Sequence, residues 1–410
     1  MSEKVPEHGG ELSITHHANR QEPTKEKEIQ DSETGGEDTV HLALGVHWEN
    51  FEEFFGCLAV AKEQAIENHG ALRLTIRGRL VAIKPKGKKS GGGRGMYYPI
   101  CLNTQGFTIW LSEHASPIEQ TPNVLVEMGS ALLMSTRGLM SALEELVILL
   151  GEFGGQVLWD KISRIDLCAD LPNVDPHDLI DLVYLEQTVC RARIEQFFRE
   201  SGRWRGIQVG RGELLVRIYD KFHEVTRAKP DPIKLILLER YRWGGPQETA
   251  SRVEFQLRRE AVKSLGVDTA SDYLAQRDKL VAYLCESWFR LVDSVPDREN
   301  NNTQRAATHP LWLNVTEAFR DWAGHGEAME RQTRRPFTRD PIRLVKQGFG
   351  CLLAAVSDLR DGEEVRPDEF AALVKECIEW NLAKMSEIEF YRRYHAKALP
   401  KLVERPHDEK

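Results

Sequence analysis

The chain has 410 residues, a net charge of −8 and 41% hydrophobic residues, which suits two or three domains with a sizeable core. No apolar run reaches the length of a membrane span, and the N-terminus lacks the apolar centre of a signal peptide, so we expect a cytoplasmic protein without membrane contact. The seven cysteines are scattered, odd in number and without a CxxC pair, which favours reduced thiols over a disulfide framework.

The negative charge is concentrated at the N-terminus. Residues 1–40 carry ten acidic and four basic residues, so the remaining chain is close to neutral. This segment is polar and lacks aromatic residues and periodicity, which predicts a disordered acidic tail ending at residue 40. The acidic balance therefore does not argue against a nucleic-acid partner for the rest of the chain.

Regular patterns begin near His41. Alternation of apolar and polar residues predicts strands, and apolar residues at helical spacing predict helices. The predicted strands cover 42–46, 72–83, 123–128 and 157–171, with a hairpin over 96–112 that turns at 103–106. The predicted helices cover 50–66, 136–153, 176–185 and 191–201.

One stretch of the chain is strongly basic. Between residues 73 and 94 there are eight bases and no acid, namely Arg73, Arg77, Arg79, Lys84, Lys86, Lys88, Lys89 and Arg94. A Gly- and Lys-rich loop beside a basic strand is typical of an element that contacts phosphates, although a loop kept soluble by its lysines has the same composition. The block without an acid favours nucleic acid. It does not match the spacing of a nucleotide-binding P-loop.

The strand over 157–171 ends in two acidic residues. Asp166 and Asp170 alternate onto one face, and in an extended strand they lie roughly 13 Å apart, too far to bind one ion together. We expect Asp166 to be the better metal ligand because it lies well within the strand. Asp170 is either a ligand or the residue that opens the following turn.

A tight hairpin leads to the candidate nucleophile. Residues 207–210 and 213–219 form the hairpin around Arg211 and Gly212. Tyr219 follows with Arg217 and Lys221 on either side, and two positive charges favour the phenolate, the form that can attack phosphorus. The alternative is that Tyr219 only packs, because aromatic residues are common on pleated surfaces.

A second acidic residue lies on the next predicted strand. Over 252–260, Val253, Phe255 and Leu257 share one face and Glu254 lies on the other, which makes Glu254 a candidate metal ligand or the partner in a cross-strand ion pair. Residues 201–260 carry thirteen bases and eight acids, as expected of a site that handles phosphodiesters.

From residue 261 onward the pattern is helical. A long helix over 272–291 precedes a polar linker over 294–304, and further helices are predicted near 343–358 and 367–387. We therefore predict an α+β fold with a mostly antiparallel central sheet and flanking helices. A folded unit over 41–300 follows the tail, and a helical C-terminal region covers 301–410.

Three short motifs together resemble a known family. They are Arg164-Ile165-Asp166-Leu167 with Asp170, then Arg217-Ile218-Tyr219-Asp220-Lys221, then Arg252-Val253-Glu254-Phe255 with Arg258-Arg259-Glu260. In this order and rough spacing they are similar to the replication initiation factor family, the rolling-circle initiators of small plasmids and related relaxases of integrative elements. The resemblance covers roughly 41–300, and His309-Pro310-Leu311-Trp312 also fits the region after the core.

The resemblance implies a chemistry. In that family a tyrosine cleaves one DNA strand with a divalent ion and stays attached to the 5′ phosphate, leaving a 3′ hydroxyl. Tyr219 matches this tyrosine, and Asp166 and Glu254, with Asp170 doubtful, match the acidic ligands. Carboxylate ligands suit Mg²⁺ or Mn²⁺. Arg217 and Lys221 would steady the phosphate, and Arg211 joins the basic stretch as a DNA contact.

The implied partners are double-stranded origin DNA with a single-stranded or hairpin nick site, a host helicase and a second copy of the chain. Two alternatives stay open. The same reaction would serve a conjugative-element relaxase, and the same fold would serve a DNA-binding protein without catalysis.

Overall fold

The computed structural model describes residues 33–90, 95–192, 194–296, 305–331, 341–360 and 362–393. Arg94, the first 32 residues of the expected acidic tail and residues 332–340 lie outside these ranges. The predicted α+β class is confirmed, because one large antiparallel sheet is flanked by helices and a helical region follows it.

Fifteen strands are described. They are β1 (Gly35–Trp48), β2 (Leu72–Ile76), β3 (Arg79–Lys84), β4 (Lys88–Lys89), β5 (Tyr97–Tyr98), β6 (Ile100–Thr104), β7 (Phe107–Leu111), β8 (Val124–Gly129), β9 (Gly155–Pro172), β10 (Thr188–Cys190), β11 (Glu195–Glu200), β12 (Arg203–Arg211), β13 (Leu214–Asp220), β14 (Ala250–Arg258) and β15 (Phe289–Leu291).

The helices follow the same chain order. They are α1 (Phe51–Glu67), α2 (Ser130–Ser135), α3 (Leu139–Glu152), α4 (Pro176–Tyr184), α5 (Lys221–His223), α6 (Pro232–Tyr241), α7 (Arg259–Ser264), α8 (Ala270–Ala282), α9 (Pro310–Ala323), α10 (Pro341–Leu359) and α11 (Pro367–Ala383), with π-helical turns at Glu224–Ala228 and Tyr283–Trp288. Among the described helices, none combines the length and the apolar character that a membrane crossing needs.

The main sheet has eleven strands in the order β11-β12-β13-β14-β9-β1-β8-β7-β6-β3-β2. Each neighbouring pair is antiparallel, and the long strands β1 and β9 form its centre. The three segments that carry the sequence motifs are β9, β14 and β13, and they are adjacent. The fold therefore brings Asp166, Glu254 and Tyr219 into one part of the sheet.

One face of the sheet forms the main core. Along β1, the side chains of Val40, Leu42, Leu44 and Val46 alternate onto this face and are buried. Helices α1, α3, α7, α8 and α9 pack on the same side. Full burial of one such aliphatic side chain stabilises the fold by about 1.5–3 kcal/mol. This packing fixes which residues of each strand face the opposite side.

The segment between β13 and β14 covers part of that opposite face. It contains α5, a π-helical turn and α6, and it forms a second, smaller apolar cluster with α2. Leu238, Trp243 and Val225 are buried there with Met134. The opposite face is therefore covered at one end and accessible beside it.

Several boundaries differ from the predictions. The strand β1 begins at Gly35, before the expected start of the folded chain at His41. The strand expected over 72–83 is a hairpin, because Arg77 and Gly78 both adopt positive φ and form its turn. The helix expected over 272–291 is α-helical only to Ala282, continues as the π-helical turn Tyr283–Trp288 and is followed by β15, which pairs with β10.

The helix predicted over 191–201 is wrong. Residues Glu195–Glu200 form the edge strand β11, which pairs with β12 in the antiparallel sense. Its side chains are mostly exposed, and its two phenylalanines are adjacent, so the sequence has no apolar alternation there. Hydrogen bonding to a neighbouring strand determines its conformation.

Candidate functional site

The candidate site lies on the face of the sheet opposite the main core. Strand register places its members side by side: Arg217 is opposite Glu254, and Gln256 is opposite Asp166. Tyr219 alternates onto the same face two residues after Arg217. The predicted tyrosine and the two favoured acids therefore lie on one continuous surface of β13, β14 and β9.

The phenol of Tyr219 has two polar partners. Its hydroxyl donates a hydrogen bond to Oε2 of Glu254 at 2.8 Å, and it accepts one from Nζ of Lys221 at 3.4 Å. The ring is half-buried. Gly206 lies opposite Tyr219, where a side chain would start 3.0 Å from Cβ of the tyrosine, so glycine leaves the space the ring needs.

The electrostatics of Tyr219 differ from the prediction. Burial, together with the negative charge of Glu254, raises the pKa of the Tyr219 phenol well above its ordinary value near 10. Of the two flanking cations, Arg217 does not contact the phenol, because it is bound to Glu254 and Gln256. In this arrangement the phenol is protonated and its proton is directed at a carboxylate.

Lys221 is nearly inaccessible to solvent, with 1% of its side chain exposed. It forms an ion pair with Glu224 in addition to its contact with Tyr219. Burial and the nearby charge of Arg252 lower the pKa of the Lys221 ammonium. Lys221 therefore contacts the phenol oxygen and does not reach an external phosphate. Its sequence position had suggested the contact with the phosphate.

Arg217 links the two strands at the open part of the face. Its Nη1 donates to Oε1 of Glu254 at 2.9 Å, and its Nη2 donates to Oε1 of Gln256 at 2.8 Å. One third of the side chain is exposed. The cross-strand ion pair that was the alternative role of Glu254 is thus present, together with the hydrogen bond from Tyr219.

Asp166 is buried and held by Arg164. Nε of Arg164 donates to Oδ1 of Asp166 at 2.8 Å, and Nη2 donates to the other carboxylate oxygen. Burial nevertheless raises the pKa of Asp166 to about 6, and the neighbouring Glu254 carboxylate acts in the same direction. The side chain of Arg164 is 29% exposed, so the pair can be reached from solvent.

Asp170 lies in a different environment, beneath the covering segment. Nε and Nη2 of Arg252 donate to its two carboxylate oxygens, and the indole N–H of Trp243 donates to one of them at 3.2 Å. Arg252 also pairs with Asp38. Asp170 is fully buried, so the structure places it in a closed ion pair and not beside Asp166.

A divalent ion was expected at the two favoured acids. In the part of the chain that the structure describes, no three His, Cys, Asp or Glu side chains converge closely enough to hold one. Asp166 and Glu254 are diagonal neighbours across two strands, roughly 7–8 Å apart. Their oxygens suit Mg²⁺ or Mn²⁺ chemically, but Arg164 and Arg217 neutralise both acids. Binding an ion there requires both guanidinium groups to turn away.

Gln256 is a buried member of the site whose side chain has an unused hydrogen-bond donor among the described residues. Its Oε1 accepts from Arg217, whereas its Nε2 has no hydrogen-bond partner within the described residues. An unpaired buried donor is costly, so it is a natural contact for an added acceptor such as a phosphate oxygen.

The basic stretch divides between two faces. Strand register places Arg73 and Lys84 on the site's face, and the ammonium of Lys88 lies 4.1 Å from the ring centre of Trp110 on that same face. Arg77 and Arg79 instead bind Glu152 at the end of α3, on the helix side.

The remaining predicted DNA contacts lie elsewhere. Lys86 and Lys89 are exposed next to Lys88, and Arg94 is outside the described residues. Arg211 is exposed at the end of β12, opposite Leu214 at the other end of β13 from Tyr219.

Sequence reasoning missed three residues of the site. Arg164 precedes Asp166 by two positions and Gln256 follows Glu254 by two, so strand alternation alone predicts that each shares a face with its acid. Glu224 could not be found this way, because it is brought to Lys221 by the short helical turn after β13.

Comparisons with known proteins are sparse. No protein-family model matches the chain. No curated protein matches it. Among solved structures, the chain is similar to the rolling circle replication initiator protein from Geobacillus stearothermophilus, with 14% identity and a TM-score of 0.40 over 73% of this chain and 99% of that chain. A similarity at this level carries no argument about the activity of this chain.

Proposed function

We propose that the chain is a replication initiator that nicks one strand of its origin DNA through Tyr219. The observation that carries this proposal is the hydrogen bond from the Tyr219 hydroxyl to Glu254, 2.8 Å long, on an accessible face with Arg217. A nucleophile, a base within hydrogen-bond reach and a cation beside them form the arrangement that covalent phosphoryl transfer requires.

In the proposed reaction, Glu254 takes the proton as the phenol oxygen attacks phosphorus. The bond between phosphorus and the 3′ oxygen breaks, the 5′ phosphate becomes linked to Tyr219, and the 3′ oxygen takes a proton from water and leaves as a hydroxyl. The high pKa of the phenol makes such a base necessary, because little phenolate exists at neutral pH without it. Lys221 stabilises the negative charge that develops on the phenol oxygen.

The phosphate would be held by the groups that surround it. Arg217 and Arg164 are the partly exposed cations of the face, and the unpaired amide N–H of Gln256 offers a further donor. Mg²⁺ or Mn²⁺, when bound by Asp166 and Glu254, would polarise the phosphate oxygens. Both guanidinium groups would then turn from the carboxylates to the phosphate, which exchanges one anionic partner for another.

The proposed partners rest on the family resemblance of the sequence motifs. The proposed substrate is double-stranded origin DNA in which the nick site is single-stranded or forms a hairpin. A host helicase and a second copy of the chain complete the proposal, and the site of action is the cytoplasm. The same reaction would serve a conjugative-element relaxase.

A second candidate is DNA binding without cleavage. It is favoured by the closed state of the site, in which arginines neutralise Asp166 and Glu254 and the phenol is protonated. The two candidates predict different products from the same DNA.

A nicking assay separates the candidates. Full-length chain is incubated with supercoiled plasmid carrying the DNA that flanks its own gene, in Mn²⁺ or in EDTA, and the covalent peptide is mapped by mass. We expect a DNA adduct on Tyr219 in Mn²⁺, none with Tyr219→Phe, and an unchanged yield with the exposed control Tyr184→Phe. An adduct in Tyr219→Phe would exclude this nucleophile. No adduct in the wild type would favour binding alone.

A further inference from the structure

A polar cavity lies at the end of the sheet where β13 ends. It is lined by Arg203 and Arg205 from β12, by Arg227 from the π-helical turn after α5, and by His177 and His223. Its volume is about 230 Å³. Pockets for whole drug-sized ligands measure about 300–1,000 Å³, so this cavity suits one small charged group.

The charges of the cavity are only partly paired. Arg205 binds Asp220 at 2.9 Å and Glu200 at 3.1 Å, and His223 lies 3.4 Å from Glu200. In contrast, the side chains of Arg203, Arg227 and His177 have no ion-pair or hydrogen-bond partner in the described part of the chain. Two guanidinium groups and one imidazole therefore remain available on the wall of one cavity.

The acids of the cavity are mostly engaged elsewhere. Asp175 accepts from the backbone N–H of His177 as the N-cap of α4, and Asp220 accepts from the backbone N–H of His223. Glu248, the third acid, is exposed. Three arginines, three acids and two histidines line the cavity, and both Asp175 and Asp220 already accept from backbone donors.

We propose that this cavity binds a phosphate group, and that the phosphate belongs to the DNA strand beside the scissile bond. Guanidinium groups match phosphate oxygens with paired N–H donors, which makes arginine clusters selective for this anion. The source follows from position: Asp220, which lines the cavity, directly follows Tyr219 on β13. A strand that crosses this end of the sheet would contact both places. The assignment to DNA rests on the proposed function.

The test uses the full chain with Tyr219→Phe, so that binding is measured without cleavage. The variant pair Arg203→Gln/Arg227→Gln is compared with Arg240→Gln/Lys263→Gln, which removes two exposed charges outside the cavity. We expect the cavity variant to bind a fluorescent single-stranded origin oligonucleotide about tenfold more weakly. Its salt dependence, as the slope of log K against log salt, should fall by about 0.7 for one lost phosphate contact. The control should match its parent.

Inorganic phosphate, measured by titration calorimetry, distinguishes the two sources of the anion. If phosphate binds only when the arginines are present but oligonucleotide affinity is unchanged, the cavity holds a free phosphate and the DNA assignment fails. If neither ligand responds to the double substitution, the cavity proposal is overturned. Adduct formation by Arg203→Gln/Arg227→Gln with Tyr219 intact, at saturating DNA, reports separately on the proposed reaction.

Discussion

Asp170 and Arg252 form an ion pair that is closed on all sides: both carboxylate oxygens accept from one guanidinium group, and neither side chain is exposed by more than 1%. The pair joins β9 to β14 directly beneath the covering segment. Its geometry gives Asp170 a structural role that the sequence left undecided between a metal ligand and a turn.

We therefore predict that Asp170→Asn mainly destabilises the fold. Removing one partner of a buried ion pair costs about 3–5 kcal/mol, and here Arg252 would be left with Asp38 as its remaining acidic partner. Urea denaturation of the full chain should show a fall of this size in the free energy of unfolding. Under conditions where the variant is folded, Mn²⁺ affinity should equal that of the wild type. A variant with normal stability and weaker Mn²⁺ binding would make Asp170 a ligand.

Glu254 carries the second prediction. Glu254→Gln keeps the shape of the side chain but cannot take the phenol proton, so we expect adduct formation to slow by about 10²–10⁴-fold. The same substitution removes a negative charge that raises the pKa of Tyr219. Ultraviolet difference titration against Tyr219→Phe should therefore show this phenol ionising at lower pH than in the wild type.

The control for this experiment is Glu145→Gln, an exposed substitution on α3. It should change neither the rate nor the titration. If Glu254→Gln slows the reaction but leaves the titration of Tyr219 unchanged, Glu254 acts on the rate in another way than as the base for this phenol.

The pKa of Asp166 gives a pH-dependent prediction. Burial raises this pKa to about 6, above its ordinary value near 3.8. The folded state therefore binds the proton more tightly than the unfolded state, so the stabilisation is complete below about pH 4 and is lost as pH rises through 6. The side chain in Asp166→Asn stays neutral, so this variant does not lose stability through this group as the pH rises.

Denaturation curves measured from pH 4 to 7 test the sign. The free energy of unfolding of Asp166→Asn minus that of the wild type should be larger at pH 7 than at pH 4, by up to about 3 kcal/mol. Each tenfold difference in proton affinity between the folded and unfolded states corresponds to about 1.36 kcal/mol. Parallel profiles for the two proteins would show that the carboxyl has an ordinary pKa and that Arg164 offsets the effect of burial.

The strands of the site were predictable because each has one fully buried face. In β13 and β14, apolar residues at every second position assign the intervening polar residues to the other face, and Gly212 marks the turn before β13. The helix α4 was equally predictable from the sequence, since Asp175 and Pro176 are a strong signal for the N-terminus of a helix. Local chemistry alone determines these elements.

The partners of the acids were not predictable from local patterns. Arg252 meets Asp170 across 82 positions of sequence, and only the register of β9 with β14 places them together. The same limit explains the edge strand β11, whose charged residues have no buried face to reveal it. For the same reason, the sequence did not predict that the basic stretch divides between two faces. Arg77 and Arg79 contact Glu152 on α3, which is distant in sequence.

That division yields the last prediction. Lys84 and Lys88 lie on the face of Tyr219, whereas Arg77 and Arg79 lie on the helix side, so equal changes in charge should have unequal effects. Lys84→Gln/Lys88→Gln should weaken DNA binding and lower the salt slope by about 0.9 for each lost duplex phosphate contact. Arg77→Gln/Arg79→Gln should leave both nearly unchanged, because these arginines contact only the exposed Glu152 on the helix side. Fluorescence anisotropy across a salt series measures both variants against origin duplex. Equal losses in the two variants would mean that only total charge matters, and that the face bearing Tyr219 is not the one DNA contacts.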